Sequence, residues 1–67
     1  MNAEAKARLD AIRAKLDEAR HALEELRDDF ALGDLPDDDG NAEYFTDLAL
    51  SDLEGALYCL DTIEDED

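Results

Sequence analysis

Beyond Arg27 the sequence has no lysine or arginine, and in its whole length it has one cysteine, one proline and one histidine. Each scarcity excludes something. A single cysteine, Cys59, rules out a disulfide within the chain, and a lone thiol fits a reducing compartment, so a cytoplasmic location is expected. His21 and Cys59 do not make a tetrahedral zinc site, which takes three or four such ligands. No apolar stretch approaches the ~18–20 residues of a membrane span. No charged leader followed by an apolar run opens the chain, so no secretory signal is expected. A Gly-rich phosphate loop, a catalytic-triad pattern and an internal repeat are all missing, so no enzyme and no cofactor are expected. The shortage of bases also excludes nucleic acid and anionic lipid as direct partners, because the net charge is −15.

What the chain does have is acid, unevenly placed. Residues 1–33 hold all six bases and eight acids, a net −2; residues 34–67 hold thirteen acids and no base, a net −13. At 67 residues the chain is one small domain, spanning 1–67. So short a chain buries a poor fraction of its surface when alone and usually needs a disulfide, a metal or a partner chain.

The expected fold class is all-α, a two-helix antiparallel hairpin that dimerises into a four-helix bundle. Apolar positions run Leu9, Ile12, Leu16, Ala19, Leu23, Leu26, Phe30, in alternating steps of three and four. This is an a/d seam over about three heptads. Asn2 can cap its start and Gly33 can release its end, so helix 1 is predicted at about residues 3–31. With Leu9 at position a, Lys6, Arg13, Arg20 and Arg27 fall at e, and Arg8 and Lys15 at g. Every base flanks the seam and asks for an acidic neighbour, which the second half supplies in the same or another copy. His21 falls at f, exposed and idle.

Helix 2 is predicted at about 42–63, followed by an acidic tail, 64–67, that opposes the helix dipole and frays. Its apolar residues include Phe45, Leu48, Leu50, Leu53, Leu57, Cys59, Leu60 and Ile63. At ~100° per residue they cover more than half the circumference, wider than one antiparallel neighbour can bury. Leu48, Leu50, Leu53, Leu57 and Leu60 are therefore assigned to the core and to a dimer contact, and a homodimer is the simplest cover. Cys59 is expected to pack as a small apolar group. Asp52 lies inside the apolar arc, where a salt bridge to an arginine of helix 1 would satisfy it, a contact to a partner protein being the alternative.

The connector, 32–41, contains GDLPDDDGN. It fails as a calcium loop. Aligned on Gly40, Leu35 stands at the first ligand position and Thr46 where the bidentate Glu belongs. It succeeds as a turn: Pro36 bars helix continuation, Asp39-Gly40 turns the chain, and Asn41 or Asp39 can cap helix 2. Leu35 is expected to tuck beneath the loop. A turn does not require three consecutive aspartates, so Asp37, Asp38 and Asp39 are assigned to partner recognition. Asp47, Glu54 and Asp61, recurring at sevenfold spacing along the polar side of helix 2, are assigned with them. Tyr44 and Tyr58 on the same side are candidate anchors.

Two function classes compete. One is a small acidic inhibitor that covers the basic, nucleic-acid-binding surface of a partner protein by imitating phosphate. Small acidic helical proteins of phages and mobile elements, anti-CRISPR proteins among them, use this strategy. The chain resembles that class in size, acidity and helicity, and carries no motif of any one family. The other is a structural dimeric adaptor or assembly subunit acting through the apolar face of helix 2. An antitoxin is a further alternative. A salt-rich host would also favour an acidic, lysine-poor chain, although the balanced first half argues against a uniform solvent adaptation.

Overall fold

The computed structural model describes residues 1–37 and 40–65. Two helices make up the fold: α1 at Ala3–Leu32 and α2 at Asn41–Asp65. Each runs one or two residues beyond the sequence expectation, and α2 takes in Glu64 and Asp65 of the supposed tail.

The ends of α1 follow from local chemistry. The Asn2 side-chain oxygen accepts the Ala5 N–H at 2.8 Å, satisfying one of the free donors of the first turn. Gly33 adopts φ +82°, which only glycine takes without steric cost, and donates to the Phe30 carbonyl. Asp34 donates to the Asp29 carbonyl at 2.9 Å, completing a Schellman termination.

The start of α2 corrects the expected cap. Asn41 does not serve, and Asp39 lies outside the described residues; among the described residues it is Asp37 that accepts, from Ala42 N–H and Glu43 N–H, both at 3.0 Å. The reason is the turn itself. Gly40, at φ +73°, donates to the Asp37 carbonyl and curls the chain back, so the Asp37 carboxylate meets the positive end of the helix. Leu35 does not tuck under this turn; it is exposed.

The helices pack antiparallel, as cross-helix ion pairs from Lys6–Glu64 at one end to Arg27–Asp47 at the other require. The molecule measures 48 × 15 × 12 Å. Its length matches thirty residues of helix at ~1.5 Å each, and its least dimension is about one helix diameter. There is one layer and no second layer to close over it. Burial is correspondingly thin. Leu9 and Leu50, 7% and 5% exposed, are the buried hydrophobic residues, and Thr46 joins them by donating its hydroxyl to the Ala42 carbonyl.

The seam of α1 is used by halves. Its a positions Leu9, Leu16, Leu23 and Phe30 turn inward, but the interleaved inward positions are Arg13, Arg20 and Arg27, not the d residues. Ile12, Ala19 and Leu26, expected in the seam, stay exposed. The cause is the pairing of Arg13 and Arg27 with acids of the opposite helix, which draws α2 toward the e side. On α2 the inward line is Thr46, Leu50, Leu53, Leu57, Leu60 and Glu64.

Candidate interaction surfaces

One long edge of the hairpin is a charged ladder. Lys6 Nζ lies 2.6 Å from Glu64 Oε1 and Arg13 Nη1 lies 3.2 Å from Glu64 Oε2. Arg13 Nη2 lies 2.7 Å from Asp61, and Arg27 Nη1 lies 3.4 Å from Asp47. Hydrogen bonds from Lys6 and Arg13 hold the Glu64 carboxyl below the usual glutamate range, and their own pKa values rise, chiefly through the same carboxylate. Glu64 is thus the clasp at the open end of the hairpin. Sequence reading placed it in a frayed tail. The signal that would have found it is the spacing Leu57, Leu60, Glu64, which continues the inward face of α2 to the height of the first bases of α1.

The fold itself engages several of the carboxylates assigned to partner binding. Asp47 and Asp61 are engaged by Arg27 and Arg13, and Asp37 is engaged as a helix cap. Of the row on α2 only Glu54 is free: it is exposed and has no ion pair among the described residues. The base at its height, Arg20, turns instead to Asp17 and Glu24 within α1. Arg8 likewise pairs with Glu4, and Lys15 alone of the six bases has no ion pair among the described residues. Asp38 and Asp39 lie outside the described residues.

Asp52 also departs from expectation. It is exposed and makes no ion pair with any arginine of α1 among the described residues, because its direction on α2 points away from the contact line. Tyr44 and Tyr58 are exposed as expected, and the Tyr44 ring meets Phe45 edge-on with centroids 5.3 Å apart. His21 is exposed, 4.0 Å from Glu24.

The opposite long edge is apolar. Phe45 is 61% exposed and Leu48 42%, and Ile63 and Cys59 are exposed near the other end of α2. Leu48, assigned to the core or a dimer contact, therefore lies outside the core of the hairpin, while Leu50 is buried and Leu53, Leu57 and Leu60 are half-buried against α1. Cys59 is not a core group either. A single helix neighbour occupies the Leu50–Leu57 side and cannot reach the far side of the arc.

An open cleft lies where the chain start meets the end of α2, lined by Met1, Asn2, Ala3, Lys6, Glu64 and Asp65. Among the described residues no group of three or more His, Cys, Asp or Glu is placed to hold a metal, and no helix is long and apolar enough to cross a membrane. No protein-family model, curated protein or solved structure matches the chain.

Proposed function

We propose that this chain is a non-enzymatic, acidic binding protein of the DNA-mimic, anti-defence type. It covers the basic, nucleic-acid-binding surface of a partner protein, works in the cytoplasm, and does so as a homodimer. The observation that carries the reading is the outer side of α2. That helix has seven acids and no base. Its Glu54 is exposed with no ion pair among the described residues, and Tyr44 and Tyr58 stand exposed on the same side. A carboxylate that the fold does not use, beside aromatic side chains that the fold does not bury, makes a surface complementary to a lysine- and arginine-lined groove. The dimer rests on the exposed Phe45, Leu48 and Ile63, and the reducing compartment on the exposed, unpaired Cys59.

The test is a pull-down at low and high salt, repeated with Glu54→Lys. The expected partner is a nucleic-acid-binding protein that is released by salt and lost with that variant. A partner that persists in high salt and ignores the variant would replace this reading with the second one, an assembly adaptor acting through the apolar edge. The exposure of Phe45 is the observation in favour of that alternative.

A further inference from the structure

The apolar residues left exposed on the two helices form one surface. On α1, Arg13 and Arg27 lie to one side of the Leu9–Leu16–Leu23 line, and Ile12, Ala19 and Leu26 lie to the other, at ~100° per residue. On α2, Asp47 and Asp61 lie to one side of Leu50 and Leu57, and Phe45 and Ile63 to the other. Arg13 meets Asp61 and Arg27 meets Asp47, so the charged sides coincide. The apolar sides therefore coincide as well. The same ion pairs set the heights: Ile12 falls beside Ile63, Lys15 level with Cys59, and Leu26 level with Leu48.

The size of this flank fits a second copy. The chain exposes 4873 Å², against roughly 4,200 Å² for a compact protein of its mass. The surplus, roughly 600–700 Å², approaches the ~800 Å² that each partner contributes to a standard interface. A second hairpin has the same length as the flank and covers both rows at once.

Two copies can stack flank to flank in two ways. Turned end over end, they set α1 on α1 and α2 on α2. Turned about the long axis, they set α1 of each copy on α2 of the other, with both connectors at one end. Charge separates the two. α2 carries seven acids without a base, so laying it on its own copy places like on like. α1 carries all six bases, and Lys15, the base without an ion pair among the described residues, stands on the rim of the apolar flank. In the second stack Lys15 faces α2 of the other copy. Asp52 on that helix lies about 10 Å further along the axis, so the attraction is one of field and not a single ion pair.

Resting on the dimer reading above, we propose that the apolar flank is closed by a second copy turned about the long axis, α1 over α2, which brings both acidic connectors to the same end of the particle. The sole native thiol provides the test. In this stack Cys59 lies opposite Lys15 of the other copy, near enough for a disulfide, while the two Cys59 side chains sit on diagonal helices. Lys15→Cys, mildly oxidised with copper(II) phenanthroline as electron acceptor, should give a covalent dimer on a non-reducing gel that thiol reductant reverses. Wild type and His21→Cys should give none. Lys15→Cys with Cys59→Ser should give none, and an amine–thiol crosslinker joining Lys15 to Cys59 in a wild-type dimer, located by peptide mapping, repeats the test if the first variant loses helical signal. Light scattering of the reduced variants separates the two claims. A monomer overturns the dimer reading itself. A dimer in which neither the introduced thiol nor the crosslinker joins position 15 to Cys59, or in which wild type bridges through Cys59 alone, overturns the arrangement and leaves the dimer standing.

Discussion

α1 and α2 are both amphipathic and pack on each other along most of their length, yet they solve the burial of their apolar stripes differently. α1 has a narrow stripe and carries its own counter-charges: Arg8 pairs with Glu4, Lys6 with Asp10, and Arg20 with Asp17, all within the helix. α2 has a wide stripe and no base, so every ion pair it makes among the described residues reaches across to α1. One helix is close to self-sufficient in charge and leaves only the row Ile12, Ala19 and Leu26 exposed beside the contact. The other depends on α1 for its cations and still leaves apolar surface uncovered. The difference teaches that the hairpin is held on its charged edge and leaves apolar side chains exposed on the other.

The largest expected effect sharpens the contrast between the two sides of α2. Leu50→Ala removes a buried side chain against α1 and should cost about 2–3 kcal/mol of hairpin stability. Leu48→Ala, on the exposed edge, should cost the hairpin under ~1 kcal/mol and act on self-association instead. Thermal melts by circular dichroism, paired with light scattering, check both. Equal losses at the two positions would mean that the edges are not distinct.

Next comes the start of α2. Asp37→Ala removes the carboxylate that accepts from Ala42 and Glu43 and should cost about 1 kcal/mol, whereas Asn41→Ala should change little. The same melts decide it. A larger loss at Asn41 would return the cap to one of the two residues expected from the sequence.

The clasp at the open end is expected to be smaller and dependent on pH. Hydrogen bonds from Lys6 and Arg13 lower the Glu64 pKa in the folded state from its ordinary 4.5. A carboxyl lowered on folding stabilises above its unfolded pKa and loses that contribution as pH falls through the folded value. Wild type should therefore melt above Glu64→Gln at neutral pH, with the gap closing below about pH 4.5. A gap that persists into strong acid would show that Glu64 acts by packing and not by charge. Lys6, whose pKa is raised, gives the mirror case: its contribution is complete below its ordinary 10.5 and lost as pH rises through the folded value.

Salt should have the mildest effect, and its sign compares repulsion within the acidic half with attraction across the ladder. Residues 34–67 carry thirteen acids and no base. Screening, with a Debye length of about 10 Å at 0.1 M, should raise the melting temperature from low to moderate salt. A steady fall would mean that the ladder between the helices outweighs the self-repulsion of α2.

Much of this was legible before any coordinates. The two helices, their antiparallel order, Asn2 as a cap and Gly33 as a stop all follow from periodicity and capping chemistry, which act within a few residues. That the e-position bases seek acids of the second helix was legible from sign alone, and Lys6, Arg13 and Arg27 do so. Which residues the contact line would pass through was not. The heptad pattern marks Leu9 and Ile12 as equals, and only the tertiary placement of α2 buries one and exposes the other. Nor could the sequence tell used from unused carboxylates. Asp47, Glu54 and Asp61 are equivalent by spacing, and the reach of particular arginines across the interface engages two and leaves Glu54 free. Local structure is set by neighbours along the chain, so sequence by itself determined the elements. Burial and ion pairing are set by neighbours across space, where a rotation of a few tens of degrees exchanges one row of side chains for the next, and tertiary structure decided those.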